Sequence, residues 1–239
     1  MECSRFTKTQ GRFEVDFNHR RELRPFHAAL CKRLVALLGS RRFLKPSNEV
    51  AVDALDLLLK RRSVSARYLL APGPNAQQLE TILTAAIRVP DHGKLAPWRV
   101  QLIPVEMRAA FNRIALAAYD EEMTEKDEGK REKLAGFASA APVMLAVSTR
   151  LHRGHKIPEV EQILSCGAFC MNIEHAAAAL GFASNWLTGF SAYSPRVKQA
   201  LGIATEESIV GYFFIGTAEM PPSERPRPSV GEIFSVWDG

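Results

Sequence analysis

The stretch EVEQILSCGAFCMNIEHAAAAL, residues 159–180, decides how the rest of the chain must be arranged. At 1.5 Å per residue it would form a helix roughly 33 Å long, and Gly181 supplies a C-terminal stop. From Ile163 to Ile173, with Phe169 and Met171 inside it, apolar side chains fall nearly all round the helix. Such a helix needs cover on every side. We therefore expect it either at the centre of the core or in part at a subunit interface.

What surrounds it is a mixture of strands and helices. APVMLAVST, residues 141–149, is an unbroken apolar run of strand length, the mark of a strand covered on both faces. Residues 182–188 and 208–216 read as further strands, and residues 98–105 alternate well enough for another. Residues 50–61 read as a helix, with Ala51, Ala54, Leu55, Leu58 and Leu59 at three- and four-residue spacing. Asn75 followed by Gln78 forms a capping box ahead of a second helix, whose apolar face is Leu79, Ile82, Leu83, Ala86 and Ile87. Residues 106–123 carry Phe111, Ile114, Ala115, Ala118 and Tyr119 in helical phase, and residues 194–201 suit a short helix. Between them, residues 68–75 read as a turn, residues 90–97 as a polar loop, and the charged run 124–133 as a solvated helix or mobile lid. Helices before, between and after a few strands define an α+β fold with a central mixed or antiparallel sheet flanked by helices. No strand is followed by GxGxxG and no P-loop pattern occurs, so neither of those nucleotide sites is indicated.

Charge divides the chain into two domains. Residues 1–47 hold 11 Lys/Arg against 4 Asp/Glu, whereas the remainder holds 20 against 22. The net charge of +5 therefore belongs to a basic N-terminal extension, expected to be poorly ordered apart from an amphipathic helix near residues 25–38. A basic arm can bind nucleic acid or an anionic membrane, or simply be a solvated appendage. The folded body is expected to span residues 48–239, ending in a Pro-rich extended arm from residue 221. No apolar run reaches membrane-spanning length. The four cysteines form no CxxC pair, and Cys166 and Cys170, one helical turn apart, suit small core hydrophobes better than zinc ligands. A reduced, cytoplasmic setting is expected.

The chemistry-bearing residues begin with Arg61-Arg62-Ser63, at the end of the first helix of the body. Arg offers planar, permanently charged donors and Ser a short hydroxyl, a combination that suits phosphate. An Arg pair at a helix end also simply favours the negative end of the helix dipole. His92 can equally be a turn residue, Trp186 a core side chain, His152 and His155 members of a surface loop, and His175 a structural residue.

Four segments, in order, resemble the FMN-dependent NAD(P)H nitroreductases. They are Arg61-Arg62-Ser63 after LDLLLK, the loop Arg88-Val89-Pro90-Asp91-His92-Gly93-Lys94-Leu95-Ala96-Pro97-Trp98 (the Pro-Asp-His branch), Gly181-Phe182-Ala183-Ser184-Asn185-Trp186-Leu187-Thr188-Gly189, and Val210-Gly211-Tyr212-Phe213-Phe214-Ile215-Gly216-Thr217. The match runs from about residue 50 to the C-terminus. It implies a homodimer with FMN at the subunit interface and NAD(P)H as co-substrate. Arg61, Arg62 and Ser63 would lie at the ribityl phosphate. Arg88 and His92 would reach the same flavin from the partner chain or the adjoining loop. Trp186, Leu187 and Thr188 would pass the isoalloxazine edge, and Arg227 would be the late phosphate-binding residue, with Arg225 as the alternative. No catalytic side chain is expected, because the flavin carries the electrons. Ala96 stands where many members have a flavin-contacting Gln.

The implied activity is hydride transfer from NAD(P)H and reduction of a nitroaromatic, quinone or similar small acceptor, with ping-pong kinetics. Two alternatives remain open: a flavin-consuming or flavin-supplying enzyme on the same scaffold, and a polyanion-binding protein using the basic arm.

Overall fold

A computed structural model describes residues 53–237, and the expected basic extension, its helix near residues 25–38 and its linker lie outside the described residues. The sheet is built on β5 (Ile209–Ala218), the longest strand. On one edge β5 pairs with β3 (Val143–Thr149), which pairs in turn with β2 (Trp98–Leu102). On the other edge lie β4 (Ala183–Leu187) and the two-residue β1 (Leu69–Leu70). Every recorded pairing is antiparallel, which resolves the mixed-or-antiparallel expectation. β1 falls inside the stretch expected to be only a turn.

The alternation of side chains along β3 and β5 divides the core into two layers. Met144, Ala146, Tyr212 and Phe214 face a layer containing Phe111, Ala115 and Tyr119 of α3 (Val105–Glu122). Val143, Leu145, Val147, Phe213 and Ile215 face the other, with Ile82 of α2 (Ala76–Ala86) and Cys166, Phe169, Cys170 and Ile173 of α5 (Glu159–Ala179). β3 is thus buried at all seven positions, and the continuous apolar run has its physical cause. Phe169 stacks on Trp98 with ring centroids 5.1 Å apart. Arg108 ties α3 to the entry of β3: its buried guanidinium donates to the carbonyls of Ile103, Ala141 and Pro142.

Local signals set several boundaries. The Asn75–Gln78 capping box opens α2 with both reciprocal bonds present. Asp53 caps α1 (Ala54–Lys60), donating no proton but accepting from the Leu55 amide. The charged run forms α4 (Glu128–Ala135), largely exposed and fastened to α3 by an Arg131–Asp120 pair. After β4 come α6 (Phe190–Tyr193) and α7 (Pro195–Ala200). The arm is exposed throughout residues 221–237 and contains one further turn, α8 (Val230–Ile233).

α5 is not covered on every side. Val160, Ile163 and Leu164 in its first half remain exposed, as do Leu55, Leu58 and Leu59 of α1, which buries no residue at all. Among the described residues, no helix is long and apolar enough to cross a membrane.

Candidate functional site

Arg61-Arg62-Ser63 runs directly out of α1 and is clamped alongside β4. The Val64 amide donates to the Ser184 carbonyl at 3.0 Å, and the Asn185 side-chain amide donates to the Val64 carbonyl at 2.9 Å. Two of the four segments singled out in the sequence are therefore joined by backbone-directed bonds. Ser63 is exposed, directly after two half-buried arginines.

The two guanidiniums have different surroundings. Arg61 Nη1 lies 3.6 Å from Glu174 Oε2 on α5, with side-chain exposures of 17% and 5%. That nitrogen is buried and makes no hydrogen bond among the described residues. Glu174 Oε1 accepts from the Ser184 hydroxyl at 3.3 Å. Burial pushes the Glu174 carboxyl above its ordinary range, against the pull of Arg61 and then Ser184. Arg62 instead closes on its own helix end, donating to the Leu59 and Arg61 carbonyls, and pairs with Glu224 of the arm. The Arg62 contact, then the Arg225 amide, hold the Glu224 carboxyl below its usual range. Arg227 is exposed and donates to the Arg225 and Pro226 carbonyls, so within one chain it touches neither Arg61 nor Ser63.

Asp91 organises the second segment. Its carboxylate accepts from the Leu95 and Ala96 amides at 3.1 and 2.8 Å, which holds Gly93, Lys94 and Ala96 at positive φ (76°, 56° and 46°). A glycine is required at 93, where a Cβ would collide with Ile157. His92 is exposed and its Nδ1 lies 2.7 Å from Glu161 Oε2, in the first turn of α5. Arg88 is exposed; its carbonyl accepts from Asn172, and no side-chain bond of its guanidinium is recorded among the described residues. Glu161 and Glu174 are thirteen residues apart on one helix, or about 20 Å along its axis. Within one chain, then, the adjoining loop does not carry His92 to the Arg61 end. His152 and His155 belong to this loop cluster, where His152 Nε2 meets the Leu95 carbonyl and His155 Nδ1 accepts from the Ile157 amide.

The Trp186 ring is occupied. It stacks on Phe213 at 5.3 Å and its Nε1 donates to the Val210 carbonyl at 3.2 Å. Gly211 makes room for it, since a Cβ there would strike the indole. The Trp186 side chain is thus a core group, and a ligand would meet this segment through its backbone or through exposed Thr188, with Leu187 half-buried between them. A groove of about 360 Å³ lies between α1, α2 and α5, lined by Leu57, Leu58, Ala85, Asn172 and His175 among others. Burial and then the Arg61 charge lower the His175 pKa.

Reading the residues alone missed Glu174, Asp91 and Glu224. Asp91 carried a usable signal, an acidic side chain ahead of residues forced into left-handed backbone. Glu174 carried none, since a single Glu in an Ala-rich helix reads as a solvent-facing residue.

The arrangement is that of an α+β protein with a helix–sheet–helix core and a basic loop beside its edge strand. A Bacillus cereus nitroreductase-like family protein has the same fold: TM-score 0.70, 22% identity, 81% of this chain and 100% of that one. The NADPH:FMN oxidoreductase of Vibrio harveyi, solved with NAD+, superposes with a TM-score of 0.59 at 14% identity, over 77% of this chain and 76% of that one. In sequence, the chain is 35% identical over 176 residues to the Escherichia coli K12 protein named "Putative NAD(P)H nitroreductase YdjA", covering 72% of this chain and 92% of that protein. Residues 58–217 match the family model described as the Nitroreductase family. The chain belongs to the nitroreductase family.

Proposed function

We propose that the protein is an FMN-dependent oxidoreductase that takes hydride from NADH or NADPH and reduces nitroaromatic, quinone or related small acceptors by ping-pong turnover. The observation that carries the proposal is Arg61: a fixed, mostly buried guanidinium with an Nη that has no hydrogen-bond partner among the described residues, held against β4 near an open Ser63. A buried donor of that kind is costly unless an acceptor completes it, and a phosphate monoester is a fitting acceptor. The residues present therefore fit the phosphate end of FMN. The fold neighbour from Vibrio harveyi, described as an NADPH:FMN oxidoreductase, supports the same reading.

When bound, FMN supplies the electron transfer between nicotinamide and acceptor. The chain's own part is to bind and orient. Arg61, Arg62 and Ser63 hold the phosphate, with Arg62 exchanging Glu224 for it. Thr188 and the backbone of Trp186 and Leu187 would border the ring, and Arg227 would be the arm's contribution to the phosphate. His92 comes from a second copy, the route left by its separation from Arg61 in one chain; Arg88, whose carbonyl accepts from Asn172 two residues before Glu174, joins from the adjoining loop or the partner chain.

That route needs a homodimer, and the surface favours one. α1 has seven residues and buries none of them, too short to persist without a packing partner. Leu55, Leu58 and Leu59, the Val160–Ile163–Leu164 stripe, and Val230, Ile233, Phe234 and Trp237 of the arm are all exposed. Exposed apolar residues of this kind suit cover by a second copy. The free thiols of Cys166 and Cys170 agree with a reducing, cytoplasmic setting. In this reading the body begins near residue 48 and the basic extension is dispensable for flavin binding.

The test is an absorbance spectrum of the purified protein, followed by anaerobic addition of NADH and NADPH. A flavin spectrum bleached by one of them is expected, and a colourless protein that FMN cannot reconstitute defeats the proposal. Arg61→Ala is expected to weaken FMN binding by about 2 kcal/mol or more. Removing residues 1–47 is expected to leave FMN binding unchanged, whereas polyanion binding as the main activity, with no flavin, would transfer the function to the basic arm.

A further inference from the structure

The phosphate-binding reading leaves one group unexplained. Glu174 is 4% exposed and sits on a helix face otherwise filled by Cys170, Ile173 and Ala177. A carboxylate in such a place is expensive, yet an apolar or amide side chain would fill the same volume. Glu174 does not act by steering its neighbour through a hydrogen bond. Its Oε2 is 3.6 Å from Arg61 Nη1, beyond hydrogen-bonding distance, and that nitrogen makes no hydrogen bond among the described residues. What Glu174 delivers to Arg61 is negative charge, in a setting where water screens it little. The Ser184 hydroxyl supports the ionised form by donating to Oε1. Among the described residues, Cys170 on α5 also feels the Glu174 charge, and the neighbouring His175 feels that of Arg61.

We propose that Glu174 is a built-in counter-charge to Arg61 that weakens the grip on the flavin phosphate, so that flavin affinity is set by the ionisation of this one buried carboxyl. The inference rests on Arg61 meeting the phosphate. A dianion arriving at Arg61 meets a carboxylate already there, and the two compete for one cation. Neutralising Glu174, by substitution or by a proton, removes the competitor and leaves the guanidinium, which stays charged at all accessible pH, wholly available to the phosphate. Riboflavin has no phosphate and gains nothing from the change. Because burial raises the Glu174 pKa, its proton is taken up at a higher pH than an exposed Glu would require.

The experiment is a fluorescence titration of the full-length apoprotein with FMN and with riboflavin, for the wild type and Glu174→Gln, from pH 5 to pH 8.5. Glu174→Gln is expected to bind FMN about tenfold more tightly at pH 8.5 and riboflavin no differently. The FMN advantage is expected to close as pH falls, as the wild-type carboxyl becomes neutral. Protonation of free FMN is common to both proteins and cancels in their ratio. Ser184→Ala, which removes the donor that favours ionised Glu174, provides a second variant if Glu174→Gln does not fold: the wild-type rise in FMN affinity on acidification should move to higher pH. Glu174→Gln binding FMN equally or more weakly at pH 8.5, or a ratio independent of pH, overturns the inference. Equal wild-type affinity for FMN and riboflavin would instead overturn the phosphate reading beneath it.

Discussion

The two ends of α5 carry the same kind of contact in opposite surroundings. In the first turn, Glu161 meets His92 with side-chain exposures of 44% and 67%. Thirteen residues further on, Glu174 meets Arg61 with exposures of 5% and 17%. The N-terminal half leaves Val160, Ile163 and Leu164 in solvent, whereas the C-terminal half packs Phe169, Cys170 and Ile173 into the sheet. One helix thus offers both an open apolar stripe and a sealed charge. The difference shows why sequence proximity to apolar residues does not measure the worth of an ion pair: water decides it. A pair in water contributes little, while a buried pair holds two groups that neither can leave without cost.

The largest effect expected along this helix is at Phe169, which is fully enclosed and stacked on Trp98. Phe169→Ala should cost about 4 kcal/mol of unfolding free energy, read from the urea midpoint at unchanged m-value. The next largest comes from the buried pair. Arg61→Ala leaves Glu174 without its cation and should cost about 3 kcal/mol at pH 7.5. The sign with pH follows from linkage. The folded Glu174 pKa lies above its unfolded value, so the native state binds the extra proton and stability falls as pH rises above the ordinary carboxyl range. The penalty in Arg61→Ala should therefore shrink towards pH 4.5 and grow towards pH 8, and adding Glu174→Gln should flatten that slope. A penalty equal at both pH values would mean that Glu174 is already neutral beside Arg61.

A smaller effect separates the sheet from the site. Gly211→Ala drives a Cβ onto the Trp186 indole and to within 2.9 Å of the Leu187 carbonyl oxygen. Moving the indole breaks its stack on Phe213 and its bond to Val210, at about 2 kcal/mol. Because the ring is a core group, thermal stability should fall with little change in riboflavin affinity. A loss of flavin affinity without a loss of stability would return the Trp186 ring to the cofactor wall.

What could be read from the sequence was what local or periodic signals encode. The Asn75–Gln78 box marked the start of α2 because both partners lie within one turn. The 141–149 run marked β3 because a strand buried on both faces has no polar side to show. β1 was hidden because its two residues precede Pro72, Gly73 and Pro74, and it is a strand only through Thr217 and Ala218, far along the chain. α6 and α8, at four residues each, are too short to display a period. At the candidate site, the resembling segments were legible one by one, but the joining of the Arg61 loop to β4 is a long-range contact that the sequence did not show, and Glu174 could not be found. Its partner lies 113 positions away, and nothing local separates a buried Glu from an exposed one. Trp186 was expected along the isoalloxazine edge, with a core side chain as the alternative; what seats its ring on Phe213 is the missing Cβ of Gly211, 25 positions away, which no local signal pairs with it.

The smallest effect expected is at the exposed end of the helix. His92→Ala and Glu161→Ala should each change the stability of the fold by under about 1 kcal/mol, and the double variant should show little coupling. That near-silence makes His92 informative. If a second copy carries His92 to the flavin, His92→Ala should lower FMN affinity while leaving the urea midpoint in place. Glu161→Ala, which frees the ring from its only recorded side-chain partner, should leave that affinity unchanged or raise it. If instead both variants lose affinity in step with stability, the pair acts only to brace the Asp91 loop. The contrast between the two ends of α5 would then be one of burial alone, with no division of labour between copies of the chain.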